Sequence, residues 1–159
     1  LNILKEHGLG LNDIQEVIAD MGPFEGAKEF VEWVSTHFQL IILSDTFYEF
    51  AHPLMKQLGW PTIFCHKLET DEKGMITAYK LRQPDQKRQA VKALHGLNFR
   101  VIAAGDSYND TTMLGEADHG FLFDAPENVI AEFPQFPPIH GYAALKEAIR
   151  NASIRNIPA

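Results

Sequence analysis

The chain has 159 residues, of which 45% are hydrophobic and 22% charged, and its net charge is −7. This length and balance fit one globular domain with a real core. The acidic charge, with no basic cluster to offset it, argues against nonspecific nucleic-acid binding. No stretch approaches the roughly 20 apolar residues that span a bilayer. The single cysteine, Cys65, excludes an internal disulfide, so we expect a cytoplasmic protein that contacts neither nucleic acid nor membrane.

The first section of the chain predicts helical structure. Residues 1–7 have the pattern of the end of a helix. A chain that begins within a helix is typical of a fragment, so we expect that a segment before Leu1 is missing. Asn12 and Gln15 have the spacing of a capping box. Apolar residues then recur at helical spacing before Gly22. They are Ile14, Val17, Ile18 and Met21.

Strands alternate with helices along the rest of the chain, which predicts a parallel, doubly wound sheet of the α/β class. Short apolar runs predict buried strands at 40–43, 63–65, 101–104 and 120–123. Apolar spacing and end signals predict helices at 27–38, 47–58, 85–95, 107–113, 126–133 and 143–152. The polar turn at 71–74 predicts a β-hairpin over 68–81. Three prolines, at 134, 137 and 138, predict a break in the chain.

Asp106 and Asp110 form the strongest chemical pattern. Asp106 follows a predicted strand and Gly105, at the carboxyl end where open α/β sheets bind ligands. If the next helix begins at Ser107 or Tyr108, Asp110 lies in its first turn and leans toward Asp106. Two carboxylates at a sheet edge suit Mg²⁺. The alternative is that Asp106 only caps the helix and Asp110 only favours its dipole.

Ser44 stands at the carboxyl end of another predicted strand. A hydroxyl and the backbone N–H groups of a strand-to-helix turn can bind phosphate. The alternative is that Ser44 or Thr46 serves only as a helix N-cap. Cys65 is predicted to be a buried, small hydrophobic residue.

Other polar residues carry weaker signals. His52, His66 and His119 lack metal-ligand spacing, and we interpret each as a surface or hydrogen-bonded histidine. Asp124 also ends an apolar run, but Pro126 indicates an ordinary turn and helix start there.

Two segments resemble the motifs of the haloacid dehalogenase superfamily, namely 43–50 (Leu-Ser-Asp-Thr-Phe-Tyr-Glu-Phe) and 104–113 (Ala-Gly-Asp-Ser-Tyr-Asn-Asp-Thr-Thr-Met). Within that superfamily the chain is similar to the phosphoserine phosphatase group, in particular to bifunctional members that also act as homoserine phosphotransferases. The resemblance covers essentially all of the chain. It implies the end of a helical cap at 1–22, a Rossmann-like core without its first strand at 23–152, and a tail at 153–159.

The resemblance also implies which residues act on the substrate. Ser44 and Lys87 would bind and stabilise the transferring phosphoryl group. Asp45, through its backbone or side chain, and Asn109 would bind substrate. Lys87 is preferred over its neighbour Arg88, which would point in a different direction on a helix.

For the metal, the resemblance implies Mg²⁺. Asp106 would be the direct ligand, whereas Asp110 would orient the metal's waters or Lys87 without touching the ion. The aspartate nucleophile of the family lies in an Asp-x-(Asp or Glu)-Gly-Val type segment, and no such segment follows an apolar run here. No arginine precedes Arg82, so the family's carboxylate-binding arginine of the cap is either missing or lies upstream of this chain.

These implications define the expected function. The intact protein would be a Mg²⁺-dependent phosphoserine phosphatase and phosphoserine:homoserine phosphotransferase that acts through an aspartyl-phosphate. This chain would be an N-terminally truncated, inactive form with an open sheet edge where the first strand belongs. Its partners would be the small molecules phosphoserine and homoserine, and the oligomeric state stays open, with a homodimer as one option.

Two alternatives remain open at this point. The chain is either a phosphatase fragment or a catalytically inactive domain that binds phosphate or a partner, and an upstream Asp-x-Glu-Gly-Val segment would decide for the first. A phospho-accepting receiver domain shares the α/β plan. The hairpin over 68–81 and the motif at 105–110 argue against a receiver domain.

Overall fold

The computed structural model describes residues 10–155 and 157. The chain divides into two compact units, Leu1–Pro84 and Asp85–Ala159. Strands and helices alternate in both, and parallel strand pairs occur in each, which confirms the predicted α/β class. In the described part of the chain, no helix combines the length and apolar character needed to cross a membrane.

The first unit holds three strands in the order β1-β2-β3. Strand β2 lies parallel to β1 and antiparallel to β3, so one long strand serves both the parallel pair and the hairpin. The sequence predicted a separate short strand at 63–65, which is wrong in length. Lys67 interrupts the apolar pattern, yet its backbone stays extended because it pairs with Lys80 of β3. The elements are α1 (Leu11–Met21), α2 (Ala27–His37), β1 (Ile41–Phe47), α3 (Tyr48–Gln57), β2 (Thr62–Thr70) and β3 (Ile76–Lys80).

Helix α1 confirms the predicted helix but not its predicted cap. The Gly10 N–H donates to the Asp13 carboxylate at 2.7 Å, so Asp13 closes the first turn. Gln15 instead donates its side-chain amide to the Glu49 backbone carbonyl on α3, at 2.7 Å. Val17 and Met21 are 61% and 77% exposed, so these two predicted apolar positions lie outside the packed face. The helix tail predicted for residues 1–7 lies outside the described residues.

Cys65 lies in the core of the first unit with 1% of its surface exposed, as predicted. Burial raises the pKa of its thiol to about 11, and the nearby positive charge of Arg82 only partly offsets this.

Alkylation of Cys65 by iodoacetamide is therefore expected to be slow at pH 8 in the folded protein, where only about one thiol in a thousand is ionised. The rate should rise with pH toward the raised pKa. The same chain in urea serves as the control, with the pKa of an ordinary cysteine, about 8.5. Mass spectrometry of timed samples gives both rates, and equal rates in the two states would contradict the burial of the thiol.

The second unit holds a wholly parallel sheet in the order β4-β5-β6. Strand β6 was not predicted, because the prolines around it were interpreted only as chain breakers. Pro138 is tolerated at the start of a strand at the edge of its sheet. The Leu122 and Asp124 N–H groups of the β5 segment donate to the carbonyls of Pro137 and Ile139. The elements are α4 (Gln86–Gly96), β4 (Ile102–Gly105), a 3₁₀ turn (Tyr108–Asp110), α5 (Thr111–Glu116), β5 (His119–Phe123), α6 (Glu127–Glu132), β6 (Pro138–Ile139) and α7 (Gly141–Ala152).

Strands β1 and β4 each pair with one neighbour among the described strands, so each forms an edge of its sheet. Of the four residues of β4, only Ala103 is buried, which is less burial than the sequence predicted. An edge strand presents unpaired backbone groups and can accept a further strand. The core of this unit includes Leu114 of α5 and Leu122 of β5, which are almost fully buried.

Candidate active site

Strand β1 leaves its regular pairing just where the sequence placed Ser44. Leu43 pairs with Phe64, and the next pair joins Phe47 to His66, so β1 advances four residues while β2 advances two. The segment 44–46 therefore bulges out of the ladder. Bulges of this kind redirect side chains and are common beside active sites.

The bulge gives Ser44 a defined local role. Its hydroxyl oxygen accepts a hydrogen bond from the Thr46 N–H at 3.3 Å, which fixes the turn. Helix α3 is capped by Phe47 without a side-chain hydrogen bond, so neither Ser44 nor Thr46 is the N-cap. The N-cap alternative is therefore wrong, and phosphate binding by the Ser44 hydroxyl and the N–H groups of the turn stays a prediction.

Asp45 lies on the outer part of this bulge. Its side chain is 43% exposed, and one carboxylate oxygen lies 3.8 Å from Nε2 of His66. His66 is buried, and its Nδ1 accepts a hydrogen bond from the Arg82 N–H at 3.1 Å. His66 is therefore a hydrogen-bonded histidine, as interpreted from the sequence, but one that also contacts a predicted site residue.

In the second unit, Lys87 and Asp110 form a buried ion pair. The Lys87 ammonium donates to one Asp110 oxygen at 2.8 Å, and the two side chains are 11% and 8% exposed. Arg88 turns away and pairs with Glu116 at 2.8 Å, as the helical geometry predicted. Removing one partner of such a deeply buried pair would leave an uncompensated charge in the core and lower the stability of the fold.

The second oxygen of Asp110 organises the loop after β4. It accepts hydrogen bonds from the Asp106 N–H at 3.0 Å, the Ser107 N–H at 3.1 Å and the Ser107 hydroxyl at 3.0 Å. Burial raises the pKa of Asp110, but its bonds to Lys87 and Ser107 outweigh burial and hold the pKa below its usual value. Asp110 is therefore ionised, and its two carboxylate oxygens together accept four hydrogen bonds.

The sequence placed Gly105 and Ser107 in this loop but did not show what either contributes to it. Ser107 and Asp110 have the spacing of a capping box, which was a visible signal. Gly105 is required by close approach, because a Cβ there would lie 2.5 Å from the Asp110 Cβ. That contact depends on the tertiary position of Asp110 and has no signature in the sequence.

Replacing Gly105 by alanine is expected to destabilise the protein by about 1–3 kcal/mol, because the new methyl group must displace the Asp110 side chain. Gly96→Ala is the matched control, since nothing lies within 4 Å of a Cβ at that helix end. Urea denaturation of both variants measures the effect. If Gly105→Ala is as stable as Gly96→Ala, the Asp110 carboxylate does not occupy the described position.

Asp106 and Asn109 have exposed side chains at the carboxyl end of β4. No group of three or more His, Cys, Asp or Glu side chains that could hold a metal ion occurs in the described ranges. Because the Asp110 oxygens are already bonded, Asp106 is the carboxylate of this loop that solvent can reach. Asp106 suits Mg²⁺ as one oxygen ligand, but the described residues alone do not complete an octahedral site.

The remaining polar residues have ordinary contacts. The Asp124 carboxylate accepts a hydrogen bond from the Gly141 N–H at 3.1 Å, so it binds the start of α7, whereas the helix predicted at Pro126 begins without a side-chain cap. His119 lies 2.7 Å from the Arg100 guanidinium, and His52 packs against the Trp60 ring. Among the described residues, these side chains contact other protein groups and form no metal-binding cluster.

The chain is similar in sequence to a known family of hydrolases. Residues 4–118 match the sequence model of the haloacid dehalogenase-like hydrolases. The chain belongs to the haloacid dehalogenase-like hydrolase family, as the two motifs predicted.

Curated relatives extend over nearly the whole chain. The phosphoserine phosphatase ThrH of Pseudomonas aeruginosa is 62% identical over 157 residues, which are 99% of this chain and 77% of the relative. A phosphoserine phosphatase of Pseudomonas syringae pv. tomato is 60% identical over 157 residues, again 99% of this chain but 66% of the relative. The chain thus spans only about two thirds to three quarters of these proteins.

Solved structures with lower identity share the fold. A phospho-aspartyl intermediate analogue of phosphoserine phosphatase has a TM-score of 0.71 at 18% identity, covering 90% of this chain and 70% of that one. A phosphoserine phosphatase from T. onnurineus has a TM-score of 0.61 at 24% identity, covering 80% and 58%. These likenesses confirm the predicted haloacid dehalogenase-like fold.

Proposed function

We propose that the protein is a phosphoserine phosphatase. The observation that carries this proposal is the 62% identity to the Pseudomonas aeruginosa phosphoserine phosphatase along 99% of the chain. The reaction is the hydrolysis of a phosphate monoester, in which phosphate leaves the serine oxygen. The local chemistry of each unit agrees with this proposal. The first unit presents the Ser44 hydroxyl in a turn, and the second holds the buried ammonium group of Lys87.

Ser44 and Lys87 are proposed to stabilise the phosphoryl group during transfer, and Asn109 to donate a hydrogen bond to substrate. A transferring phosphoryl group spreads negative charge over its oxygens, and fixed donors and cations lower the energy of that state. Asp110 supports this role because its bond to Lys87 fixes the ammonium group in one direction. Asp110 itself then needs no contact with substrate.

The nucleophile is proposed to be an aspartate in a segment that precedes the 159 residues. The chain's own acidic pair at 71–72 does not suit this role. Asp71 accepts hydrogen bonds from the Lys73 and Met75 N–H groups at 2.9 Å each, which makes it the organiser of the hairpin turn. Both curated relatives are longer than the 157 matched residues, which leaves room for a further segment in the whole protein. The open edges of β1 and β4 could each accept a further strand.

Mg²⁺ is the proposed cofactor, with Asp106 as its ligand from this chain. The hard carboxylate oxygen of Asp106 and its exposure support the assignment. When bound, the ion would neutralise phosphoryl charge. The other ligands are proposed to come from water and from the upstream segment, because the described residues supply one accessible carboxylate in this loop.

Homoserine is proposed as a second phosphate acceptor, on the strength of the motifs at 43–50 and 104–113. An aspartyl-phosphate can be attacked by the hydroxyl of water or of an alcohol. Homoserine carries such a hydroxyl and differs from serine by one methylene group, so a serine-shaped site needs little change to admit it. A cytoplasmic location and a homodimer stay predictions.

Phosphate release from phosphoserine, with and without Mg²⁺, tests the proposed function. We expect no turnover by the 159-residue chain, and Mg²⁺-dependent turnover when the upstream segment carrying the aspartate is present. Including homoserine should yield phosphohomoserine in that second protein. Turnover by the 159-residue chain alone would overturn the assignment of the nucleophile. Inactivity of both proteins would instead favour a catalytically inactive phosphate-binding domain.

A further inference from the structure

The helix that carries Lys87 begins at an unusual residue. Asp85 is the N-cap of α4, and its backbone has φ of 48° and ψ of 46°, in the left-handed region. An N-cap residue normally has an extended backbone, and its side chain accepts a hydrogen bond from the first turn. Among the described residues, the Asp85 side chain makes no such capping bond to α4. This departure from the usual cap, with a backbone uncommon for any residue but glycine, calls for a tertiary explanation.

The Asp85 carboxylate is bound to α5 instead. One oxygen accepts a hydrogen bond from the Thr112 hydroxyl at 2.8 Å, and the other lies 3.8 Å from the Arg88 guanidinium. The second contact is longer, and its side chains are 38% and 41% exposed, so water screens it. The bond to Thr112 is therefore the contact that fixes the Asp85 side chain.

This bond lies beside the buried ion pair. Lys87 follows Asp85 by two residues in α4. Its partner Asp110 precedes Thr112 by two residues, so both bonds join the start of α4 to the start of α5. Lys87 lies in the first turn of α4, where backbone N–H groups lack partners within the helix and the dipole disfavours a cation. A second bond at this end keeps the turn from fraying and so limits where the ammonium group lies.

We propose that Asp85 and Thr112 are positioning residues, and that their hydrogen bond holds the first turn of α4 so that the Lys87 ammonium faces the transferring phosphoryl group. The inference rests on the proposed function, which gives Lys87 its role in phosphoryl transfer. It adds two side chains that need no contact with substrate and yet set the direction of the cation. A misplacement of about 1 Å in such a group can lower the rate about 100-fold.

Hydrolysis of phosphoserine by the protein that carries the upstream segment tests this role. Thr112→Val keeps the shape of the side chain but removes the donor. We expect kcat to fall at least about tenfold with little change in KM, because a misdirected cation fails mainly in the transition state. Thr112→Ser keeps the hydroxyl and should retain most of kcat.

Two replacements of Asp85 separate the bond from the backbone conformation. Asp85→Asn keeps an acceptor oxygen and tolerates the left-handed region, so it should retain most of kcat. Asp85→Gly suits that region better but lacks the acceptor, so it should match Thr112→Val. The double variant Asp85→Gly, Thr112→Val should be no slower than either single variant, because all three lack the same bond. Losses that multiply would overturn the proposal.

Amide hydrogen exchange followed by NMR reports the first turn of α4 without reference to activity. The Gln89 N–H donates to the Asp85 carbonyl at 3.0 Å, which closes this turn. Thr112→Val should speed exchange of the Gln89 amide at least about fivefold, because the turn opens locally. The amide of Val91, a buried residue of the same helix, should keep its wild-type rate. Equal acceleration at Val91 would indicate a general loss of stability and overturn the proposal.

Thr111→Val is the matched control for the exchange measurement. The Thr111 hydroxyl donates to the Tyr108 carbonyl at 2.8 Å, so it serves the turn that begins α5. The Gln89 amide should therefore exchange in Thr111→Val at its wild-type rate. Equal acceleration in Thr111→Val and Thr112→Val would overturn the specific role of Thr112.

The outcomes distinguish the two proposals. No turnover of phosphoserine by the wild-type protein overturns the proposed function, and the role in transfer falls with it. Wild-type turnover with an unchanged kcat in Thr112→Val overturns the inference alone, since the bond is then purely structural. A lower kcat without faster Gln89 exchange also overturns it. Faster exchange together with a lower kcat in Thr112→Val, and recovery of both in Thr112→Ser, supports it.

Discussion

Replacing Lys87 by methionine is expected to lower the free energy of unfolding by about 3–5 kcal/mol, the usual effect of removing one partner from a buried ion pair. The side chains of Lys87 and Asp110 are 11% and 8% exposed, and their atoms lie 2.8 Å apart. Without the ammonium, the Asp110 carboxylate stays charged in a poorly hydrated place. Urea denaturation followed by circular dichroism measures the loss.

Arg88→Met is the matched control, because it makes the same change one residue further along α4. Arg88 pairs with Glu116 at 2.8 Å, but its side chain is 41% exposed, so water screens that pair. We expect little change in stability. The double variant Lys87→Met, Asp110→Asn should recover part of the loss, since the uncompensated charge is gone. Equal losses in Lys87→Met and Arg88→Met would contradict a special role for the buried pair.

Much of this fold was predictable because its signals are local. The apolar runs and helical spacings located the strands and helices of both units, and Gly22 and Gly96 marked helix ends. Strand β6 was missed, since two residues beside prolines carry no periodic signal. The length of β2 was missed because a strand with different partners at its two ends need not keep one apolar pattern.

The residue types of the candidate site were predictable from the sequence. The hydrogen bonds and contacts between these residues were not. The spacing of Asp106 and Asp110 predicted a first-turn carboxylate near the strand end. It did not show that Asp110 binds two backbone N–H groups and Lys87 together. The contact between Asp45 and His66 depends on the pairing of β1 with β2, which joins residues 21 positions apart. Such contacts have no local pattern, and the positional roles of all these residues remain predictions.

Asp106→Asn is expected to reduce Mg²⁺-dependent phosphatase activity more than about 100-fold in the protein that carries the upstream segment. Loss of groups that only support a metal ligand typically costs 10–100-fold, so loss of the ligand itself should exceed that range. An amide keeps the shape of the side chain but lacks the negative charge that Mg²⁺ requires. Stability should hardly change, because the Asp106 side chain is exposed and the loop is held through its backbone N–H.

Asp124→Asn provides the matched control, since Asp124 also follows the last residue of a parallel strand. Its carboxylate accepts a hydrogen bond from the Gly141 N–H and lies 3.4 Å from His140, so it serves α7 instead of a metal. Titration of activity with Mg²⁺ should show that Asp106→Asn needs a much higher Mg²⁺ concentration than the wild-type protein, whereas Asp124→Asn does not. If both variants lose activity equally, the loss comes from a disturbed fold and not from the removal of a metal ligand. If neither loses it, Asp106 is not the ligand, and the position of the carboxylate at the end of β4 would be explained by the loop alone.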